Sequence, residues 1–415
     1  MFFLLKCLIL EKQKLYKRAI IKEMFFAGPS TLAELSDKTD KSIPFVTKLL
    51  NELKDEKVII EDNTSVFTVG RPAQYYSILN DYKYIIAVAL DQYITRISIV
   101  DMSRSLVRDI AKYELKIDND PKTLQSLVNI INDYIKECGI PRNKIVGVGI
   151  GMPGFVDVKK GVNHSFFSFS DNILEKNLEA SIGLKVLIDN DSSLIALAEH
   201  KYGAAKDRKN VMVLNIGWGV GLGMIINGAI FRGDRGFAGE FSHLPLFNND
   251  KMCSCGKMGC LETETSLLVI TKKAIAGIQN GTPTVLKELS LDDVDQSIKK
   301  IIDAAINGDK FSVSLISDAG YHIGRGIAIL VHLLNPELVL ISGRGSRAGK
   351  LWITPIQQAL NEHCIPKLAE HLEIQISELQ YNAELLGAAA LVMENYNIID
   401  HRKVGKLSPR KSLTL

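Results

Sequence analysis

No stretch of this 415-residue chain approaches the roughly 20 consecutive apolar residues of a membrane-spanning helix, so no membrane insertion is expected. Charge of one sign is also missing. The 50 Lys and Arg nearly balance the 47 Asp and Glu, leaving +3, so a nucleic-acid partner would have to be held by a local patch. Gly/Ser linkers and low-complexity runs are absent. With 46% apolar and 23% charged residues, the composition excludes collagen-like, coiled-coil and wholly disordered chains. At roughly 150 residues per domain, the length implies about two to three units.

Cysteine is sparse and unevenly placed. Cys7, Cys138 and Cys364 lie far apart, whereas Cys253, Cys255 and Cys260 crowd together. That distribution fits a reducing, cytoplasmic compartment and a metal site better than a disulfide framework. The opening Met1–Leu10 (MFFLLKCLIL) has the length of a signal-peptide core. It lacks a basic leading segment and a small-x-small cleavage site, so it reads as a helical extension of the first domain.

Residues 1–80 read as three short helices and a hairpin. Ile20, Ile21, Met24 and Phe25 recur at helical spacing, and Gly28-Pro29 ends that helix. Thr31 followed by Glu34 is a capping box for a second helix. Ser42 caps a third, with Pro44 in its first turn. The stripe Val46, Leu49, Leu50, Leu53 faces a core and turns Ser42, Phe45, Thr47, Lys48 and Asn51 the other way. Val58–Ile60 and Val66–Val69 read as the hairpin. Together these elements predict a winged helix-turn-helix, whose third helix enters a major groove through Ser42, Thr47, Lys48 and Asn51. Arg71, stiffened between Gly70 and Pro72, would reach an adjacent minor groove.

From Tyr84 onward strands alternate with helices. Ile85–Leu90 and Arg96–Val100 read as paired strands, Leu124–Glu137 as a helix, and Lys144–Ile150, Lys185–Ile188, Val211–Asn215 and Leu338–Ile341 as further strands. Such alternation predicts an α/β architecture with mixed sheets. The expected organisation is a DNA-binding domain over 1–80, an α/β domain over 83–395, and a basic tail over 396–415 carrying Arg402, Lys403, Lys406, Arg410 and Lys411.

Cys253-x-Cys255 and Cys260 place three soft ligands in one loop, with His243 shortly upstream. Three thiolates and an imidazole satisfy tetrahedral zinc, and Gly256 and Gly259 let the loop curl around the ion. A closed set of four ligands leaves no position for an activated water. The predicted role is structural.

Four motifs occur in order: Gly149-Ile-Gly-Met-Pro-Gly-Phe-Val-Asp157, Asp189-Asn190-Asp191, Gly236-Phe-Ala-Gly-Glu-Phe-Ser-His243, and the loop from Cys253 to Glu262. This ordered set resembles the ROK family of sugar kinases and transcriptional repressors over about residues 84–395, and the preceding winged helix matches the repressor branch. The resemblance implies a two-lobed, actin-like ATPase (ribonuclease H-like) fold with sugar held by Asn190, Asp191, Glu240, His243 and Glu262, and a zinc that braces the sugar site. In a kinase Asp191 would be the general base. In a sensor it would only hold a sugar hydroxyl. Ser193 stands where many members have asparagine, and Phe166–Phe169 replaces a stretch that lines the sugar site.

The ATP motifs of the resembled kinases are degraded. Their Asp-x-Gly-Gly-Thr aligns with Ala89-Leu90-Asp91-Gln92-Tyr93, Trp218 stands where a small hydroxyl residue is usual, and Arg344 interrupts the run Ser342-Gly343-Arg344-Gly345. Asp91 would repel a polyphosphate and Tyr93 would crowd it. ATP is therefore not an expected cofactor. The sequence reading is a sugar-responsive regulator, most simply a repressor, that binds operator DNA as a homodimer or tetramer and is released by a sugar or sugar phosphate. The alternatives are a ROK sugar kinase using Asp191, and a regulator sequestered by a membrane transporter.

Overall fold

A computed structural model describes residues 2–62, 74–168 and 173–399, with the backbone alone for 2–10 and 62. Among the described residues no helix is long and apolar enough to cross a membrane. Arg71, Val66–Val69, Phe169 and the basic residues from Arg402 onward lie outside the described residues. The described chain divides into two compact units. One draws on Met1–Gly154, Lys160–Asp189 and Ala388–Leu415, the other on Phe155–Lys159 and Asn190–Gly387.

The first unit opens with α1 (Phe2–Ala27), one continuous helix that contains the apolar opening segment. Gly28, at φ 85°, takes the left-handed conformation that ends it. The short strand β1 (Ser30–Thr31), α2 (Leu32–Thr39) and α3 (Ile43–Asp55) follow. The capping box is formed: Thr31 Oγ1 accepts from the Glu34 amide, and the Glu34 carboxylate accepts from the Thr31 amide at 2.7 Å. Val46, Leu49, Leu50 and Leu53 are buried with Ile20, Ile21, Met24 and Phe25, as the spacing predicts.

Three local expectations change. Ser42 occupies the N-cap position of α3, yet its side chain makes no capping bond; Pro44, in the first turn, has already removed one of the amides that a cap would satisfy. Phe45 turns back to meet Tyr16 edge-on at 5.3 Å, an apolar contact that its size favours over exposure. The strand β2 (Ile59–Asp62) pairs antiparallel with β3 (Tyr75–Ile78) in the register Ile59↔Ile78 to Asp62↔Tyr75. The hairpin partner thus lies further along the chain than Val66–Val69. Tyr76 and Ile78 supply the buried face there, and β1 pairs with the other edge of β3.

The same unit holds a five-stranded sheet built from β4 (Tyr84–Leu90), β5 (Ile94–Asp101), β6 (Ala111–Glu114), β7 (Ile145–Met152) and β10 (Val186–Asn190), in the order β10-β7-β4-β5-β6. Two short strands, β8 (Val156–Asp157) and β9 (Val162–Asn163), intervene along the chain. β4 runs antiparallel to β5 and parallel to β7. Helices α4 (Pro121–Glu137) and α5 (Leu174–Ile182) belong to this unit. Polar bonds tie α1 to the rest of it. Lys22 Nζ donates to the Glu394 carbonyl at 2.9 Å, Arg104 Nη1 to the Phe26 carbonyl at 2.9 Å, and Arg18 lies over the ring of the buried Tyr396.

The second unit repeats the pattern. Its sheet comprises β11 (Val211–Ile216), β12 (Val220–Ile226), β13 (Ala229–Ile230), β14 (Leu338–Ser342) and β15 (Glu373–Ile376), in the order β13-β12-β11-β14-β15. β11 is antiparallel to β12 and parallel to β14. In both sheets the first strand lies central, the second and third flank it on one side, and the fourth and fifth on the other. Helix α6 (Asp191–Tyr202) packs on β11, β12 and β14 through Ile195, Ala196, Val211, Val213, Ile225 and Leu340. Gly223 permits that approach, since a Cβ there would stand 2.5 Å from the Cβ of Ala196. The remaining helices are α7 (Glu262–Thr265), α8 (Leu267–Gln279), α9 (Val294–Ile306), α10 (Lys310–Leu334), α11 (Ile353–His363), α12 (Pro366–Ala369) and α13 (Ala383–Glu394), the last of which passes from this unit into the first.

Candidate functional site

Asn190 and Asp191 stand at the N-terminus of α6, where free backbone amides favour acidic and acceptor side chains. Asn190 Oδ1 caps the helix by accepting from the amides of Ser192 and Ser193, at 3.0 and 3.2 Å. Asp191 Oδ1 accepts from the Ser192 amide at 2.7 Å, and its Oδ2 accepts from Asn215 Nδ2 at 3.3 Å. Asn215, on β11, therefore sets the orientation of the carboxylate. It escaped the sequence reading because the two residues lie 24 positions apart and meet only through the packing of α6 on the sheet. Ser193, the noted departure, is buried in the first turn and serves the helix.

Glu240 precedes the tight turn Phe241–His243. His243 Nε2 lies 3.7 Å from Glu240 Oε2. Partial loss of water holds the Glu240 carboxyl above its usual range; His243 opposes that shift, while the charges of Asp191 and Glu262 add to it. Asp191, Glu240, His243 and Glu262 thus share one electrostatic neighbourhood. Glu262 opens α7 and its Oε1 accepts from Ser254 Oγ at 3.4 Å, which links the site to the cysteine loop. Three acids and an imidazole so placed present several acceptors and a donor to a polyhydroxylated ligand.

The four sequence-picked metal ligands converge. One donor atom each from His243, Cys253, Cys255 and Cys260 lies within 4.8 Å of every other. His243 Nδ1 stands 3.4 Å from Cys253 Sγ, and Cys255 Sγ stands 3.6 Å from Cys260 Sγ. Tetrahedral zinc with bonds of about 2.3 Å to sulfur requires edges of roughly 3.8 Å, so the set fits the ion. Gly256 and Gly259 have φ of 80° and 75°, and a side chain at 259 would strike the Phe247 carbonyl. Burial and the neighbouring sulfurs push the Cys260 thiol up to about 12. Against burial, the backbone bond at Lys257 and the other two sulfurs draw Cys255 down. With Nδ1 turned to the sulfurs, the imidazole keeps Nε2 for Glu240 or a ligand, so one histidine can serve both clusters.

The sequence-picked DNA residues lie on the face of α3 opposite its core. Ser42, Lys48 and Asn51 are exposed, while Thr47 is half-buried with its hydroxyl donating to the Ile43 carbonyl at 2.8 Å. Lys48 lies 3.9 Å from Glu52, a weak surface pair that leaves the ammonium accessible.

The degraded ATP motifs have structural occupants. Ala89 is buried within β4, opposite Arg96. Asp91 Oδ1 accepts from the amides of Tyr93 and Ile94, both at 2.8 Å, and so closes the turn between β4 and β5. In the second unit the Arg344 guanidinium lies 4.4 Å from the ring centres of both Trp218 and Tyr381 and pairs with Asp295. Tyr381 and Asp295 carry no motif signal; they sit far from Arg344 in sequence and join it only through the fold.

A winged helix carried on an α/β chain with two sheets of one strand order, and with an acid–histidine cluster beside a Cys3His set, defines a regulator-type relative of the actin-like sugar kinases. The chain belongs to the ROK family, whose profile matches residues 101–395. It is 27% identical to the xylose repressor of Caldicellulosiruptor bescii over 391 residues, 92% of this chain and 96% of that one. Among solved structures it resembles a ROK family transcriptional regulator described as a homolog of the E. coli MLC protein, with 26% identity and a TM-score of 0.75 over 95% of this chain and 99% of that chain. A ROK family glucokinase from Streptomyces griseus, solved with glucose and AMPPNP, matches at 26% identity and a TM-score of 0.64. It covers 74% of this chain and 98% of its own.

Proposed function

We propose that this protein is a sugar-responsive transcriptional regulator, a repressor in its simplest form, and not an enzyme. One observation carries the reading: a single chain joins a winged helix to a domain that keeps the acid–histidine cluster of a sugar site while its nucleotide motifs are filled by its own side chains. Phosphoryl transfer depends on positioning and neutralising a triphosphate. Asp91 is spent on closing its own turn and Arg344 on its own aromatic contacts, which argues against a held triphosphate, so Asp191 would hold a hydroxyl without activating it. The glucokinase likeness supports the sugar class, and the repressor likenesses, which span nearly the whole chain, support the regulatory role.

In this reading Ser42, Thr47, Lys48 and Asn51 on α3 contact the major groove and Arg71 the minor groove. Two copies related by a two-fold axis match a palindromic operator. Asn190, Asp191, Glu240, His243 and Glu262 bind a sugar or sugar phosphate. His243, Cys253, Cys255 and Cys260 would hold a structural zinc, which would fix the loop that carries Glu262. The protein works in the cytoplasm. If sugar favours a conformer that misplaces the winged helices, operator DNA weakens sugar binding by the same factor.

The test is operator binding by the full-length chain against a panel of sugars and sugar phosphates, run with an ATP-dependent phosphorylation assay on the same preparation. Release of DNA by one sugar without turnover is the expected result. Phosphorylation at enzymatic rates, with no binding to promoter DNA, overturns the reading.

A further inference from the structure

In a winged helix-turn-helix the N-terminal half of the third helix meets the base edges, so the side chains that stand out from that half determine what is read. In this chain they are few. Lys41 turns back: its Nζ donates to the Asp40 carbonyl at 2.7 Å and lies 5.3 Å from the ring centre of Tyr16 on α1. Phe45 turns to the same tyrosine, and Val46 is fully buried. Between them Ser42, Ile43 and Pro44 stand exposed one after another. Ile43 is 52% exposed, and in α2 and α3 no other large apolar side chain is left so open.

The polar groups of the helix do not fill that leading turn. Thr47 Oγ1 donates to the Ile43 carbonyl at 2.8 Å, so its proton is spent on the helix itself. Lys48 is an exposed point charge that suits a phosphate, and phosphate contacts fix register without reading bases. Asn51 can pair with adenine, yet it stands two turns further on. Ser42 serves several base edges alike. What the leading turn offers for discrimination is therefore an apolar surface. The four base pairs present many hydrogen-bonding groups in the major groove and a single apolar one, the C5 methyl of thymine. Against a bare donor or acceptor, Ile43 would strip water from a polar group and give it no partner, which costs binding. Against a methyl, both surfaces leave water together. The β-branched side chain is stiff at χ1 and loses little rotamer freedom in doing so.

We propose that Ile43 is a base-reading residue of α3 and that it recognises a thymine through contact with the C5 methyl group. This rests on the operator reading above and adds the base that the leading turn selects. Because two copies related by a two-fold axis read the operator, the thymine recurs at the same place in each half-site.

The experiment starts from duplexes enriched out of a random-sequence pool by the full-length protein. In the enriched site each thymine is replaced in turn by deoxyuridine, which pairs with adenine in the same way and lacks only the methyl. The wild type is expected to lose about fourfold in affinity at one symmetry-related thymine of each half-site, the size of one buried methyl group. Ile43→Ala is expected to bind the thymine and deoxyuridine duplexes alike at that position, with sugar binding unchanged. Thermal unfolding checks that the variant is folded. Should it not fold, Ile43→Ser is read in the same way. A wild type indifferent to deoxyuridine at every position overturns the proposal, as does a penalty that persists undiminished in the folded variant. Either result leaves operator binding and its release by sugar standing. A pool from which nothing is enriched fails the operator reading itself, and this assignment with it.

Discussion

In the sheet of the first unit, the turn after its central strand β4 is closed by Asp91, which takes the amides of Tyr93 and Ile94. In the sheet of the second unit, the matching turn after β11 is Gly217-Trp218-Gly219, closed by the backbone, with the Gly217 amide donating to the Gly219 carbonyl at 2.9 Å, while its tryptophan meets Arg344. The strand order is the same in both. The strands carry almost no chemistry in either, being continuous buried runs such as Ile85–Leu90 and Val211–Leu214. Strand ends, the first turns of helices and loops carry most of it. The first unit bears a winged helix fastened by α1, and the second bears the acid–histidine cluster and the cysteine loop. One architecture therefore serves two purposes, because a sheet determines where loop ends gather and leaves their chemistry free.

If the division of labour is real, substitutions in one unit should alter one binding event and spare the other. The largest effect is expected from the metal set. Cys260→Ser should abolish stoichiometric zinc and lower stability by about 4 kcal/mol if free metal stands about 1,000-fold above Kd; metal analysis and thermal unfolding check both. A folded, equally stable variant with no metal would remove the structural role. Next comes Glu240→Gln. Loss of a charged acceptor costs about 1.5–3 kcal/mol of ligand binding, so the sugar response should fall by roughly ten- to 100-fold in operator-release assays while operator affinity stays unchanged.

Asn51→Ala is the converse. It should weaken operator binding by about 1–3 kcal/mol, with sugar affinity, read by calorimetry on DNA-free protein, unaffected. Thr31→Ala should cost about 1 kcal/mol through the lost capping box of α2, visible in denaturant unfolding. The smallest effect concerns Glu199 of α6. Burial raises its carboxyl above the ordinary 4.5, partly offset by the Ser377 and Ser342 hydroxyls. The folded chain then keeps a proton that the unfolded chain releases. The contribution is full below about pH 4.5 and is lost as pH rises through the higher folded value. Glu199→Gln should flatten that slope in unfolding midpoints measured across the window.

Much of the fold is legible in residue order because local periodicity and burial agree. The stripe Val46, Leu49, Leu50, Leu53 and the box Thr31–Glu34 define their helices without help from distant residues. The short β-branched run Leu338–Ile341 reads as a buried strand and is one. The partner of β2 was not legible for the opposite reason. Val66–Val69 lies outside the described residues, and β2 pairs with Tyr75–Ile78, whose alternate residues Tyr76 and Ile78 are buried. A register is a property of two segments and a core, and one segment cannot announce it.

The site divides in the same way. Clustered donors such as Cys253, Cys255 and Cys260 declare themselves because they share one short loop. Ordered motifs likewise bring Asp191, Glu240, His243 and Glu262 into view. Residue order alone pointed to the helical N-terminal region, the alternating α/β body, the Cys3His set and the ordered motifs that hold the acids, since each rests on local pattern or short motifs. Only tertiary packing decided that Asn215 aims Asp191, that His243 serves two clusters through its two nitrogens, and that Tyr381 and Asp295 receive Arg344. Those relations depend on how side chains are aimed, and the contacts of Asp191 and Arg344 reach across 24 to 49 positions. Sequence distance carries no record of such contacts until strands and helices have brought their ends together.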